Sequence, residues 1–420
     1  MTAVDAVPET DPHNPLYNSF WIRSTEEIDT ELADFQDGPP VFLPEPDTSG
    51  LGLVCPGGWV VTKYDHILEM SKTPEVYSSE SGITMLDAPP EFNAFFSSMI
   101  AMDDPRHTGL RKLVSKGFTP RMLAKLEGIV QDQAKTIVDD VREKGTCDFV
   151  VDVAARLPLR IVCDLMGIPE SQLDFVFDQT NIILGAADPE YVEDVADVLT
   201  AMLTAGGALS ELMFEVSDSK VGKDADDLTT ILVNAELDGE KLSQQDIASF
   251  FILLVVAGNE TTRNAISWGL KYLTDNPDQR AIWQADFEGV GPRAVEEIVR
   301  LASPVTYMRR TATRDTELGG VSIAEGDKLA MFYLAANRDP EIFEDPLRFD
   351  VQRDPNRHIG FGGPGPHFCL GAHLARREIL VMFRELFATL PDIEATGAPD
   401  LLHSSFIHGI KHLEAEFSPR

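Results

Sequence analysis

A stretch rich in glycine and proline near the C-terminus carries the side chain best suited to bind a transition metal. In residues 361–371, FGGPGPHFCLG, Cys369 stands where a final helix is predicted to begin and to run to about residue 388. The free N–H groups and the positive end of a helix lower the pKa of a thiol and favour the thiolate, the form that ligates iron. Cys369 is therefore the leading candidate for a metal ligand.

Other interpretations of this loop remain open. A cysteine in a tight turn is often a buried structural residue. A zinc site is also conceivable, because His358, His367 and His373 lie close to Cys369 in the chain. A phosphate-binding loop is disfavoured, because the stretch does not end in Gly-Lys-Ser/Thr.

A second candidate lies inside a long apolar segment. Residues 250–262, FFILLVVAGNETT, place a glycine, a carboxylate and two hydroxyls in an otherwise apolar helix, which is costly in a core unless these groups have a use. Glu260 and Thr261 could hold an oxygen ligand and relay protons to it. The plain alternative is a kinked core helix with a hydrated polar segment.

Two charged pairs complete the set. Glu297 and Arg300 are three residues apart, so they share one helical face, and Arg353 is available as a further partner. His107 and Arg111 are four residues apart, a spacing that suits binding of a carboxylate. Taken singly, Glu297 and Arg300 are most simply a surface ion pair, and His107 and Arg111 an ordinary pair of surface residues.

The elements that must position these residues are mostly helical. Apolar residues recur at helical spacing from about residue 104 to 213, and helices are predicted at 243–274, with Ser243 as the N-cap, and at 292–301. Short strands are predicted at 59–62, 316–323 and 328–333. The chain therefore belongs to the α+β class, mostly α, as a single large helical unit with small β-sheets.

The charge of the chain limits its partners. Lys and Arg number 35 against 69 Asp and Glu, a net charge of -34, so broad binding to nucleic acid is excluded. The acids are concentrated in the first fifty residues, whereas residues 106–126 carry six cations and no acid. Four scattered cysteines predict reduced thiols. The longest apolar run, 250–257, is too short to span a bilayer, and no export signal is apparent, so we expect a cytoplasmic protein.

The four candidate stretches, in this order, resemble the cytochrome P450 superfamily of haem-thiolate monooxygenases over nearly the whole chain. The resemblance implies that Cys369 is the axial thiolate of haem b, that Glu260 and Thr261 are the acid–alcohol pair, and that Glu297, Arg300 and Arg353 are a structural triad. It implies further haem contacts from His107, Arg111, Arg310, His367, Ala257, Gly258, Phe361 and Gly371. Phe361 precedes the cysteine by eight positions instead of the family's seven, which puts its role near the sulfur in doubt. Residues 1–20 are expected to be a flexible acidic arm, and 21–420 one catalytic domain.

Shorter strings at 256–265 and 405–411 are similar to mycobacterial members that hydroxylate the terminal carbon of methyl-branched lipids or sterol side chains. By this resemblance the substrate is a branched fatty or isoprenoid lipid, with a sterol side chain as the alternative. The expected apolar tunnel consists of Ile83, Phe92, Phe95, Phe96, Met99, Ile100, Leu253, Val256, Val305, Met308 and Phe406.

The resemblance also implies O₂ as cosubstrate and two electrons from NAD(P)H. No Rossmann fingerprint or flavin domain is present, so a separate ferredoxin and ferredoxin reductase are expected to deliver them. The expected docking residues are Lys112, Lys116, Arg121, Lys125, Arg376 and Arg377. Alternatives are a haem-thiolate peroxygenase or isomerase, a zinc hydrolase, and a non-catalytic haem or lipid carrier.

Overall fold

The computed structural model describes residues 11–45, 57–87, 96, 98–118, 120–193, 197–224, 227–237 and 239–420, without the side chains of 116 and 120–125. The α-helices are, in order, α1 Asn18–Trp21, α2 Thr25–Gln36, α3 Tyr64–Lys72, α4 Arg106–Val114, α5 Pro120–Val141, α6 Arg156–Met166, α7 Leu173–Leu184, α8 Val198–Lys220, α9 Leu228–Val233, α10 Gln244–Asp275, α11 Pro277–Ala285, α12 Phe287–Ala302, α13 Tyr333–Ala336 and α14 Ala372–Thr389.

The strands are short. They are β1 Val41–Leu43, β2 Gly58–Val61, β3 Tyr77–Ser78, β4 Thr146–Asp148, β5 Glu236–Leu237, β6 Glu240–Lys241, β7 Tyr307–Ala312, β8 Thr316–Leu318, β9 Val321–Ile323, β10 Lys328–Phe332, β11 Glu394–Ala395, β12 Asp400–Leu401, β13 Ile410–His412 and β14 Glu414–Glu416. The largest sheet has the order β1-β2-β10-β7-β3. In it, β10 runs parallel to β2 and antiparallel to β7. The α+β prediction with small sheets is confirmed.

Helix α10 is the central element of the helical part. Its start is set locally, because Ser243 and Asp246 form the predicted capping box. It packs against α6, α8, α12 and α14. A close approach to α14 is possible because residue 269 is glycine, where an added Cβ would lie 2.7 Å from the ring of Phe383. The two helices that carry the candidate chemistry are thus held side by side.

Several boundaries differ from the sequence prediction. Helix α12 begins at Phe287, five residues before the predicted start at Pro292. The side chain of Asp286 accepts a hydrogen bond from the N–H of Gly289 and so acts as the N-cap of the helix. The last helix begins at Ala372 rather than at Cys369, since the cysteine still belongs to the loop. The segment 316–323 is a hairpin of β8 and β9 rather than one strand.

The N-terminal segment also departs from the expected arm. Residues 1–10 lie outside the described residues, but Tyr17, Phe20 and Trp21 are buried. Trp21 stacks on Phe332 of β10 with ring centroids 6.1 Å apart. Residues 14–20 are therefore packed on the large sheet and are not a free arm. Burial of their aromatic side chains stabilises this packing more than the charge of the neighbouring acidic residues opposes it. In the described part of the chain, no helix is both long and apolar enough to cross a membrane.

Candidate functional site

A cavity that opens to solvent lies between α10, α14 and the loop that carries Cys369, with about 1470 Å³ of space when the solvent at its opening is included. Residues of α4, α6 and β7 also line this cavity. Most of the residues that the sequence analysis assigned to catalysis, haem or substrate line this one space: His107, Arg111, Met99, Ile100, Leu253, Ala257, Gly258, Thr261, Val305, Met308, Arg310, Phe361, His367, Cys369 and Gly371. The fold thus brings together positions that are more than 250 residues apart in the chain.

Cys369 faces this cavity, so its side chain is accessible although it lies deep among protein atoms. Burial raises the pKa of the thiol, whereas hydrogen bonds from the N–H groups of Gly371 and Ala372 and the charge of Arg111 act in the opposite direction. The lowered pKa expected from a helix start is therefore wrong for the protein alone, because desolvation outweighs the backbone dipoles. The same N–H groups suit a sulfur that bears negative charge once a metal replaces its proton.

The cysteine loop is held tightly against α3. An added Cβ at Gly365 would lie 2.0 Å from the backbone oxygen of Ser71, so only glycine fits at that contact. Phe361 lines the cavity, and the guanidinium carbon of Arg376 lies 4.3 Å from its ring centroid. The extra residue between Phe361 and Cys369 is accommodated without removing the ring from the cavity.

Four basic side chains form a second wall. Arg111 donates to the carbonyl of Phe368 at 2.5 Å, and the rings of His107 and His367 lie 4.3 Å apart. Arg310 is buried, and both ring nitrogens of His107 are buried without a hydrogen-bond partner among the described residues, although Nδ1 lies 3.9 Å from the carboxylate of Asp104. Burial, together with the charge of Arg310, lowers the pKa of His367 to about 3, and burial lowers that of His107. Both imidazoles are thus neutral donors beside two guanidinium groups.

This donor set suits haem b. Two guanidinium groups and unpartnered imidazole nitrogens can bind the two carboxylates of that molecule, and unpaired buried donors are costly unless something accepts from them. The thiol of Cys369 stands in the same cavity as a possible iron ligand. The residues present therefore fit the group that the sequence predicted.

Helix α10 presents Ala257, Gly258 and Thr261 to the cavity. The hydroxyl of Thr261 donates to the carbonyl of Ala257 at 2.7 Å. Glu260 does not line the cavity, because at 100° per residue its side chain falls just outside the inward-facing arc of the helix. Its carboxylate instead pairs with Arg263, which also donates to Asn181 at 3.1 Å. Burial raises the pKa of Glu260, and Arg263 opposes this.

Glu297, Arg300 and Arg353 form one buried network. Arg300 donates to both carboxylate oxygens of Glu297 at 2.8 Å, and Arg353 donates to both at 3.1 Å. Arg300 also donates to the carbonyls of Asn337 and Pro346. The network joins α12 to the segment that leads into the cysteine loop, and Arg300 and Glu297 are fully buried. The separation of three residues therefore marks a core ion pair and not a surface pair.

The apolar side of the cavity follows the prediction in part. Phe92 and Phe95 lie outside the described residues. Ile83, Phe96, Val256 and Phe406 do not line the cavity among the described residues. The carbonyl of Ile83 accepts from the N–H of Arg309, and Phe406 packs on Tyr307, so both are held elsewhere. Val256 falls outside the inward arc of α10. The sequence prediction missed Phe118, Val162, Leu165, Phe250 and Leu254, whose only signal was apolar spacing on their own helices.

The basic side chains that were expected to bind the ferredoxin differ in their exposure and in their ion pairs. Lys112 is exposed and has no ion pair with any residue that the structure describes. Arg376 is paired with Glu296 at 2.5 Å, and Arg377 is paired with Glu127. The side chains of Lys116, Arg121 and Lys125 lie outside the described part of the chain. Much of the charge on Arg376 and Arg377 is therefore already balanced.

The zinc alternative finds no support among the described residues. His358 is bonded to Glu296 at 2.8 Å, and His373 is exposed. The one group of described His, Cys, Asp and Glu side chains with metal-like spacing is Glu190, Asp400 and His412 at the surface. There the Nζ of Lys411 lies 3.0 Å from Glu190 and 3.6 Å from Asp400, so a side chain already supplies the cation.

The sequence analysis also missed an acidic residue of the cavity wall. Glu378 of α14 lines the cavity and is only 2% exposed. Its neighbours in sequence, Arg376 and Arg377, suggested an ordinary charged surface, and only the packing of α14 against the cavity reveals its position.

Several known proteins are similar to this chain. The family model described as Cytochrome P450 matches residues 199–290 and 292–390. The methyl-branched lipid omega-hydroxylase of Mycobacterium tuberculosis H37Rv is 47% identical over 95% of this chain and 93% of its own. The steroid C26-monooxygenase of the same strain is 38% identical over 93% of this chain and 89% of its own.

Solved structures superpose on nearly the whole chain. Mycobacterium marinum cytochrome P450 CYP268A2, solved in complex with pseudoionone, superposes with a TM-score of 0.92 at 40% identity. It covers 98% of this chain, and the match spans all of the other chain. CYP108D1 of Novosphingobium aromaticivorans superposes with a TM-score of 0.85 at 28% identity, over 99% of both chains.

Proposed function

Because the chain belongs to the cytochrome P450 family of monooxygenases, we propose that it hydroxylates the terminal carbon of a methyl-branched fatty or isoprenoid lipid. The observation that carries this proposal is the apolar wall of the cavity, where Met99, Leu253 and Met308 face the same space as Thr261 and Cys369. An apolar chain that enters from this side presents its end to the reactive centre. The 47% identity to a methyl-branched lipid omega-hydroxylase supports the same substrate class.

Cys369 would bind the iron of haem b, and His107, Arg111, Arg310 and His367 would bind its carboxylates. When bound, it supplies the activation of O₂ for insertion into an unactivated C–H bond, and the protein supplies orientation and electrostatics. The N–H groups of Gly371 and Ala372 stabilise negative charge on the sulfur.

Thr261 and Glu260 would move the protons. The Thr261 hydroxyl faces the cavity and can exchange its present acceptor, the carbonyl of Ala257, for an oxygen atom in the cavity. Glu260 lies behind it on the same helix, and the raised pKa that burial gives this carboxyl group favours a form that holds a proton and can pass it on. To reach Thr261, the carboxylate must leave Arg263, so Arg263 controls when Glu260 is available.

The electrons would come from NAD(P)H through a ferredoxin reductase and a ferredoxin. Lys112 is exposed on α4, the helix that also carries His107 and Arg111, so a partner that binds there would approach the basic wall from outside. A strongly acidic chain with one basic face would orient an acidic carrier towards it. Residues from Met99 to Ile379 line one cavity, so residues 21–420 would act as one catalytic unit.

The test is product analysis with the purified haem protein, a ferredoxin and its reductase. Substrates are a methyl-branched fatty acid, an acyclic isoprenoid alcohol, a straight-chain fatty acid and a sterol. We expect hydroxylation mainly at the terminal methyl group of the branched substrates. Mainly in-chain products would refute the proposal, and substrate-induced spectral shifts without any product would instead favour a non-catalytic carrier.

A sterol side chain is the second candidate, and the 38% identity to a steroid C26-monooxygenase favours it. A sterol side chain ends in the same branched methyl pair as an isoprenoid, so the apolar wall suits both. Faster turnover of the sterol than of every branched acyclic substrate would decide for this candidate.

A further inference from the structure

A second, smaller cavity lies beside the first one, at the start of α10. Met99 and Phe250 line both cavities, so these two side chains form the partition between them. The smaller cavity, called here the side chamber, is lined by further apolar side chains that do not reach the main cavity: Met102, Leu110, Val114, Leu232, Leu242 and Ile247. They belong to α4, α9 and α10 and to the segments just before α4 and α10.

The polar side chains at the side chamber have partners within the protein. The carboxylate of Asp246 accepts hydrogen bonds from the hydroxyl of Ser243 at 2.6 Å and from Arg106 at 2.8 Å. The hydroxyl of Ser249 donates to the carbonyl of Asp246 at 3.2 Å. Among the described residues that line the chamber, none leaves a buried side-chain nitrogen or oxygen without a hydrogen-bond partner. Since a buried water needs about three such partners, the chamber favours an apolar guest over water.

The size of the side chamber limits what this guest is. There is space for about one or two water-sized molecules, which is too little for a lipid chain or its head group. Small cavities lined by Leu, Ile and Phe stay dry and take up apolar guests such as xenon. Dioxygen is an apolar molecule of matching size, and the monooxygenase activity of this family consumes it.

An apolar face of α10 connects the side chamber to the reactive end of the main cavity. Phe250, Leu254, Ala257 and Thr261 follow one another at separations of three or four residues, so they lie on one helical face, and all four line the main cavity. At about 1.5 Å per residue, this face extends for about 16 Å from the partition to Thr261. A small apolar molecule that leaves the side chamber therefore reaches Thr261 along apolar side chains.

We propose that the side chamber is a docking site for dioxygen, and that the gas passes into the main cavity between Met99 and Phe250. Passage requires a change of side-chain conformation at the partition, which the flexible, unbranched side chain of Met99 permits. A lipid in the main cavity leaves the side chamber free, because the chamber is too small for it. The inference rests on the dioxygen requirement of the family and not on the identity of the hydroxylated lipid.

Xenon tests the docking site directly, since it is an apolar probe that X-rays locate. Crystals of the haem-loaded protein under xenon gas should show a xenon atom in the side chamber, against Leu110 and Ile247. Leu242→Phe enlarges a half-buried side chain that lines the chamber but not the main cavity. The xenon atom should be lost in this variant.

The rebinding of carbon monoxide after flash photolysis tests the route. The reduced, haem-loaded protein is measured with a bound fatty acid, and the bimolecular rate constant should fall severalfold in Leu242→Phe. Leu173→Phe is the matched control, because Leu173 is also a half-buried leucine packed on the same core and lines neither cavity. The control should keep both the xenon atom and the wild-type rate constant.

The proposal is overturned if the side chamber of the wild type takes up no xenon, or if an ordered water molecule occupies it under xenon gas. It is also overturned if Leu242→Phe rebinds carbon monoxide as fast as the wild type, or if Leu173→Phe is slowed equally. If Leu242→Phe does not fold, Leu232→Phe replaces it, because Leu232 lines the same chamber from α9. None of these outcomes depends on which carbon of which lipid is hydroxylated, so they separate this inference from the proposed function.

Discussion

Glu297→Gln is the sharpest test of how the cysteine loop is secured. The substitution keeps the shape of the side chain but removes the charge that Arg300 and Arg353 share. Arg300 is fully buried, and leaving a buried charge without its partner costs about 3–5 kcal/mol. For a chain of 420 residues, an unfolding entropy of about 2.1 cal/mol/K per residue gives about 0.9 kcal/mol per kelvin. The midpoint of thermal unfolding should therefore fall by about 3–6 °C.

The measurements are thermal unfolding of the haem-loaded protein, for the midpoint, and urea unfolding, for the free energy, both followed by tryptophan fluorescence and by haem absorbance. Glu288→Gln is the matched control, because Glu288 lies on the same helix and pairs with Arg384 at 2.8 Å, yet its side chain is 78% exposed. A surface pair of this kind contributes about 0–1 kcal/mol. The control should therefore hardly change the free energy of unfolding.

A double-mutant cycle separates the pair from its surroundings. Glu297→Gln combined with Arg300→Met removes both charges, so the double variant should lose less stability than the two single variants added together, by about 1 kcal/mol or more. Additive losses, or equal losses for Glu297→Gln and Glu288→Gln, would refute the assignment of a buried, coupled network.

Three further changes test the site and its setting, and a fourth tests the pH dependence of the fold. Thr261→Ala should keep NAD(P)H consumption while product falls and peroxide rises in a peroxide assay; fully coupled turnover would contradict the proton relay. Lys112→Glu should slow reduction by the ferredoxin in stopped-flow absorbance, most at low ionic strength. A wild-type reduction rate that does not change with ionic strength would contradict docking at Lys112. Gly365→Ala places a methyl group 2.0 Å from the backbone oxygen of Ser71, so haem content measured by absorbance should drop. Burial lowers the pKa of His412, but hydrogen bonds to two carboxylates outweigh burial and raise it. Protonated His412 therefore stabilises the fold fully below about pH 6.5, and this stabilisation is lost as the pH rises through the raised pKa. In urea titrations, the wild type should be more stable than His412→Gln at acidic pH and should lose this difference at alkaline pH.

Local signals in the sequence located much of the site. The capping box of Ser243 and Asp246 fixes the start of α10, and this helix determines the register of Thr261. The separation of three residues brings Glu297 and Arg300 together on α12. Such features depend on residues within one or two turns, so helical geometry alone predicts them.

Other properties depend on which faces become buried. Glu260 is next to Thr261 in sequence, but its carboxylate turns to Arg263 because only part of α10 faces the cavity. The pKa of Cys369 is raised and not lowered, since desolvation outweighs the nearby N–H groups. Neither effect has a local signal, because both depend on what other segments pack against these residues.

The sequence by itself determined the order and types of the reactive residues, and therefore the family. Only the tertiary structure decided which of them share the cavity and which charge state burial permits. Glu378 shows the reason: its sequence neighbours mark it as one more acid on a charged helix, whereas the packing of α14 removes it from water and from every described cation. Solvation and distance are properties of the assembled fold, and they set the chemistry that a given side chain can perform.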